Sequence, residues 1–415
     1  VIPTLPDQHA IKYTPQAVQI YQYDASPIDG REPLLLVHGL EDEYVRGLHW
    51  GKVCRYLNSN PQFKQRYKIF LARYNSLAPE KETETAFKPA LRELADSQHK
   101  KLFVVALSIS GDIVRNAMDD PDVDNSIRKV VALGSPFHGT PLFNRDWMFY
   151  SSFKRHKFPL VKLDRYLAYS IYFRHHQNLL KDYYWDNYDM EVPDIGPYKF
   201  RVPLLVKGCV VPPVKKPDGI NCDGHGEKFV VYAGYYQNQY IEKMNRSLMF
   251  SILHAPCSFF YTTLPAHLGD EHAALRLLNY EIAFVDQRQK KEHSSYFYND
   301  GVAPVSSSLS LASAEVRAAD SDASHTLKSE AEVKIENVAF DPSKEDKSSA
   351  QKDPPPQKLA FKSTAGKARL FANIDHVTFL DGYRPIASPK NLTDQLSPNE
   401  KPRPIFGWLL SDMLD

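Results

Sequence analysis

A chain of 415 residues is long enough for one large domain or two smaller ones, with a sizeable buried core. Its 51 basic and 50 acidic side chains give a net charge of +1, which excludes a global field for nucleic acid or an anionic membrane surface, so partners have to be argued from sites. No apolar run approaches the roughly 18 to 20 residues of a membrane span, and a soluble chain is expected.

The first long apolar run is PLLLVHGL, residues 33–40, bounded by polar residues on both sides. Continuous Leu and Val of this length predicts a strand buried on both faces. HWGKVCRYLNSN then has a helical pattern, and YKIFLARY supplies a second apolar strand. FKPALRELADSQHK places Leu91, Leu94 and Ala95 near one helical face, and KKLFVVAL is a third strand. SGDIVRNAMDD opens another helix, and RKVVALGSP is a fourth strand. Strand and helix alternating in this way predict an α/β fold, a mostly parallel sheet flanked by helices.

Two stretches interrupt the alternation. From Asn144 to about Phe200 the chain is crowded with aromatics interleaved with Arg, Lys, His and Asp, and it reads as an inserted cap over 144–200. Residues 310–367 are rich in Ala, Ser, Asp, Glu and Lys, a composition unable to bury enough apolar surface to offset its ordering entropy, so a partly disordered excursion is expected there. The core then resumes at ARLFANIDHVTFLDGY, and PIFGWLLSDML reads as a short amphipathic closing helix. The whole chain, 1–415, is expected to form a single domain carrying these two insertions.

The four cysteines do not make a disulfide scaffold. Cys209 and Cys222 flank a Pro/Lys/Gly-rich loop and are read as a loop staple or as two free thiols. With His225 they are also conceivable metal ligands, but the paired CxxC spacing of zinc sites is absent. Neither a metal nor a cofactor is expected.

VVALSISGD, residues 104–112, runs an apolar strand into two serines. A serine hydroxyl needs a nearby base and a turn that presents it away from its own backbone, and that turn demands small residues two positions to either side. Centred on Ser108 those neighbours are Ala106 and Ser110; centred on Ser110 they are Ser108 and Asp112. Ser108 is the better nucleophile. The plain alternative is a helix N-cap, a role serine favours.

VVALSISGDIVRNAM resembles the nucleophile elbow of the α/β-hydrolase lipases and esterases, GxSxG followed by another Gly, with Ala106 and Ser110 standing where glycine is usual. His38-Gly39 is similar to the oxyanion loop of that family, which implies oxyanion donors from the backbone amides of Leu40 and Ile109. VVALGSPFHGTPL resembles the strand and loop after the elbow, where His138 is read as a hydrogen-bonded wall of the site. YNDGVAPVSSSL resembles the segment carrying the acid, Asp300, and NIDHVTFLDG resembles the one carrying the base, His376. Of the 15 histidines only His325 and His376 follow Asp300, and His325 lies in the polar excursion. Asp375 is read as shaping the loop.

The resemblance implies an α/β-hydrolase fold and a Ser108-His376-Asp300 triad working through an acyl-enzyme. The aromatic cap favours lipid esters, triacylglycerol or phospholipid, with transient contact with a lipid interface. A lipid acyltransferase using the same triad and a catalytically inactive binding protein are the alternatives. No nucleic-acid partner is expected, and the oligomeric state is left open. The chain opens at Val1 without an initiator methionine, which fits a processed exported protein and equally a trimmed one; a secreted or extracytoplasmic location is the expectation, with a cytoplasmic one still open.

Overall fold

The computed structural model describes residues 18–40, 49–137, 139–140, 225–235, 299–309, 335–338, 365–372, 374–381 and 404–415. Eight strands lie in it: β1 (Gln19–Gln22), β2 (Glu32–Val37), β3 (Tyr67–Arg73), β4 (Leu102–Leu107), β5 (Ile127–Leu133), β6 (Phe229–Tyr235), β7 (Ile335–Val338) and β8 (Lys367–Ala372). They form one sheet in the order β1-β3-β2-β4-β5-β6-β8-β7. Only the β1–β3 pair is antiparallel; the other six pairs are parallel.

The described helices are α1 (Gly51–Ser59), α2 (Pro61–Arg66), α3 (Glu80–Gln98), α4 (Ile109–Ala117), α5 (Pro121–Ser126), α6 (Val305–Leu309), α7 (Thr378–Asp381) and α8 (Pro404–Leu414). Strand pleating sends alternate residues to opposite faces, and the central strands are apolar on both. Leu35 and Val37 of β2 and Val104 and Ala106 of β4 join α3, α4, α5 and α6 in one core. Leu34 and Leu36, with Phe103 and Val105, join α1, α2, α7 and α8 in the other. The result is three layers, with helices on both faces of a mostly parallel sheet.

All four strands expected up to residue 133 are present. The helix expected over HWGKVCRYLNSN is α1, and a further short helix follows it: Asn60 turns extended, its side chain accepts the Phe63 amide at 3.0 Å, and Pro61 starts α2. Helix α3 begins at Glu80, ahead of the periodic stretch, because Thr83 and Glu84 extend its buried face. Strand β6, FVVYAGY, was not among the expected elements, although it is buried along six of its seven residues. Within the expected polar excursion, Ile335–Val338 form β7, and the last residue, Lys367, opens β8. A short edge strand needs only one neighbour, so β8 supplies what the local composition lacks. Residues 310–334 and 339–364 of that excursion, the aromatic segment 144–200, Cys209 and Cys222 lie outside the described residues. Cys54, buried in α1, is a free thiol that burial holds well above its usual pKa.

The closing helix is fastened by charge as well as by apolar packing. Asp412 accepts two 2.7 Å bonds from the Arg369 guanidinium, a third from Lys367, and one from the Tyr232 hydroxyl. Arg369 also lies 3.9 Å from the Trp408 ring centroid. Burial pushes the Asp412 carboxyl up, but the bonds from Arg369, Lys367 and Tyr232 outweigh it and hold the carboxyl below its ordinary value. A carboxyl depressed by folding contributes stability that is complete above its unfolded pKa, about 3.9, and is lost as pH falls through the lower folded value. Asp412→Asn would leave Arg369 buried without its counter-ion. The expected loss is about 3 to 5 kcal/mol at neutral pH in urea unfolding, with a shallower fall in stability below about pH 4 than the parent shows.

Candidate active site

Strand β4 ends at Leu107 and α4 begins at Ile109, so the chain turns from strand to helix at one residue, Ser108. Its φ of 57° and ψ of −131° lie in a region that non-glycine residues rarely occupy, at a cost of about 1 to 3 kcal/mol. Ser108 stands at the N-cap position of α4, yet its side chain makes no capping hydrogen bond. The plain N-cap alternative is therefore set aside: the hydroxyl is not spent on the helix. The Ser108 amide donates to the Leu133 carbonyl at 2.9 Å, which ties the turn to the end of β5.

Gly111 follows one turn into α4, where a Cβ would come within 2.0 Å of Ser135 Oγ and 2.6 Å of its Cβ. Glycine at 111 lets the helix press against the loop after β5. The same helix carries a buried ion pair, Asp112 to Arg115 at 2.6 Å, and the Arg115 guanidinium lies 5.6 Å from the Phe137 ring centroid. Asn116 reaches across to Glu80 of α3.

The loop after β2 holds His38, Gly39 and Leu40. His38 is fully buried and stacks on Tyr74, with ring centroids 4.4 Å apart. Because the Tyr74 amide donates to His38 Nε2 at 3.2 Å, the ring proton belongs on Nδ1, which donates to the Gly39 carbonyl at 2.7 Å. The Tyr74 hydroxyl donates to the His38 carbonyl at 3.1 Å. In the sequence Tyr74 is marked only by its place directly after β3. Leu40 sits in the turn that follows, partly buried, and Ile109 is buried as the first residue of α4. Since β2 and β4 are parallel neighbours, the Leu40 and Ile109 segments leave the same edge of the sheet side by side.

Asp300 and His376 come together although 76 residues separate them, with Nδ1 to Oδ2 at 2.8 Å. The other carboxylate oxygen of Asp300 accepts the amides of Val302 at 2.9 Å and Ala303 at 2.7 Å. Asn299 and Gly301, at φ 93°, complete the turn, so the Asn-Asp-Gly triplet both builds the loop and aims the carboxylate. The His376 amide donates to the Asp300 carbonyl at 3.0 Å, a second tie between the two residues. Asp375 is engaged elsewhere: its Oδ1 accepts the amide and hydroxyl of Thr378, at 2.9 and 2.7 Å, and shapes the turn into α7.

Gly134 connects this pair to the serine turn. It follows Leu133, the residue whose carbonyl holds the Ser108 amide, and a Cβ on it would lie 3.0 Å from both Asp300 Oδ2 and His376 Nδ1. Farther along that loop, Ser307 donates to the Gly139 carbonyl at 2.8 Å and Thr140 donates to the Val302 carbonyl. The GSPFHGTP and NDGVAPVSSS segments are thus bonded to one another. His138 and His325 lie outside the described residues. Among the described residues, no group of three or more His, Cys, Asp or Glu side chains is arranged to hold a metal ion.

No protein-family model matches the chain, and no curated protein matches its sequence. Solved structures overlap it in part. The mature lipase BlEst2 of Bacillus licheniformis is 13% identical, with a TM-score of 0.35, over 71% of this chain and 86% of that one. Lipase B of Aspergillus fumigatus is 18% identical over 30% of this chain and 29% of its own, with a TM-score of 0.25. The phospholipase PlaB of Legionella pneumophila, in complex with thio-NAD, is 22% identical over 27% of each chain, with a TM-score of 0.23. The fold is an α/β one, a mostly parallel sheet flanked by helices.

Gly134 is the position where a single atom would disturb the site. Its φ of 57° strains any side chain there, and a methyl group 3.0 Å from both partners obliges them to give way by a few tenths of an ångström. In Gly134→Ala, the strongly downfield proton resonance of the Asp300–His376 hydrogen bond, followed by NMR, is expected to shift or vanish. Its persistence unchanged would mean that the loop yields without moving the pair.

Proposed function

We propose that the protein is a serine carboxylester hydrolase, with Ser108 as nucleophile, His376 as base, Asp300 as its orienting acid, and the Leu40 and Ile109 amides as oxyanion donors. The observation that carries this reading is the 2.8 Å bond from His376 to Asp300, on the sheet edge where Ser108 is held at positive φ with its hydroxyl not used as a cap.

In this reading Asp300 fixes the Nδ1–H tautomer of His376, leaving Nε2 to take the Ser108 proton as Oγ attacks the ester carbonyl carbon. Charge develops on the carbonyl oxygen, where oriented amides are typically worth about 3 to 4 kcal/mol of barrier each. Collapse of the tetrahedral intermediate expels the alcohol, which leaves with the proton carried by His376. Water, deprotonated by the same imidazole, then attacks the acyl-enzyme and releases the acid and the free serine. The positive φ at Ser108 and the amides around Asp300 are set before substrate arrives, so little reorganisation is needed during reaction.

Lipid esters are the proposed substrate class. The aromatic segment 144–200 combines large apolar area with Tyr and Trp polar groups, a chemistry suited to acyl chains at a lipid–water boundary.

A fluorophosphonate probe is expected to label the protein on Ser108, mapped by mass spectrometry, and Ser108→Ala is expected to abolish labelling. Labelling that survives Ser108→Ala would refute the assignment. Asp300→Asn is expected to keep the fold and lower kcat on p-nitrophenyl esters by about 10³ to 10⁴, as loss of the orienting acid does in serine hydrolases. Among such esters, octanoate and longer chains are expected to exceed acetate in kcat/KM; the opposite order would remove the lipid assignment and leave the esterase chemistry intact.

A further inference from the structure

The family pattern resembled by residues 106–111 has glycine where this chain has Ser110. The side chain is fully buried, and its hydroxyl faces two carbonyls, Leu107 at 2.7 Å and Val37 at 3.1 Å. One hydroxyl has one proton, so it is shared between the two acceptors or passes from one to the other. The Leu107 contact is local, three residues back on the same turn. The Val37 contact is not: it spans 73 residues and joins α4 to the last residue of β2.

Val37 is the root of the His38-Gly39-Leu40 loop, and Ile109 immediately precedes Ser110. The two amides proposed as oxyanion donors therefore belong to two segments that this hydroxyl bonds together. From the other side, the loop is held by the His38–Tyr74 contacts, which do not touch α4. A glycine at 110 would remove the side-chain hydrogen bond between α4 and the end of β2.

We propose that Ser110 is a positioning residue that sets the separation of the two oxyanion amides by fastening the end of β2 to the first turn of α4. The inference rests on the serine-hydrolase reading above. It accounts for a side chain where the family pattern has none: the hydroxyl supplies a bond that glycine cannot make.

Ser110→Ala removes the hydroxyl and keeps the Cβ; Ser110→Gly removes both. Fluorophosphonate labelling of Ser108 in the parent protein is read first, and its absence would overturn the hydrolase reading together with this inference. With labelling present, both variants are expected to lose about tenfold in kcat on p-nitrophenyl butyrate, a fraction of the loss on deleting an oxyanion donor, with KM changed less than twofold. Affinity for a trifluoromethyl ketone, whose adduct carries the oxyanion, is expected to fall by the same factor as kcat/KM. A purely structural role would lower the unfolding midpoint while leaving kcat and ketone affinity at the parent values, and that result would overturn the inference while the hydrolase reading stands. Full activity in Ser110→Gly with loss in Ser110→Ala would also overturn it, since packing rather than the hydroxyl would then be at issue.

Discussion

Turning a buried parallel strand into a helix at one residue forces Ser108 to φ 57°, a conformation that persists only while its surroundings hold it. The Leu133 carbonyl anchors the Ser108 amide, Gly111 lets the helix close on Ser135, and Ser110 fills the space toward Val37. Each depends on β4 being central, with β2 on one side and β5 on the other. An edge strand would offer such support on one side only.

The same sheet edge assembles the remaining groups. Parallel strands all end on one side, so the loops after β2, β4, β5 and β8 emerge together, with Asp300 against Gly234 near the end of β6. Side chains distant in the sequence meet there because the sheet converts strand order into spatial order. Glycine at 134 then sets the spacing between the serine turn and the Asp300–His376 pair.

Buried charge in the described structure is answered by geometry. Asp300 divides its two oxygens between backbone amides and an imidazole; Asp412 is surrounded by Arg369, Lys367 and Tyr232; Asp112 pairs with Arg115 within one helical turn. Breaking such a pair by removing one partner is costly because it leaves the other charge buried without compensation. The Asp412 cluster joins the C-terminal helix to β8 and β6, so a segment remote from the serine turn is locked to the strands beside which Asp300 and His376 sit.

Much of this was legible in the amino-acid order. Apolar runs too uniform for one wet face announced β2 to β5, and their alternation with helical patterns announced the parallel sheet. The Asn-Asp-Gly turn, the His-Gly pair and the strand-to-helix serine were visible because each is a short-range requirement of backbone geometry. Strand β6 lies outside the expected elements and β7 in a polar stretch, because strand formation depends on the neighbour that supplies the ladder. That the Ser108 hydroxyl is not spent as a cap, that Ser110 bonds to Val37, and that Tyr74 clamps His38 were decided by tertiary structure alone. Local sequence dictates which backbone turns are possible; which side chains meet across them depends on strand order and on hydrogen bonds between residues tens to hundreds of positions apart.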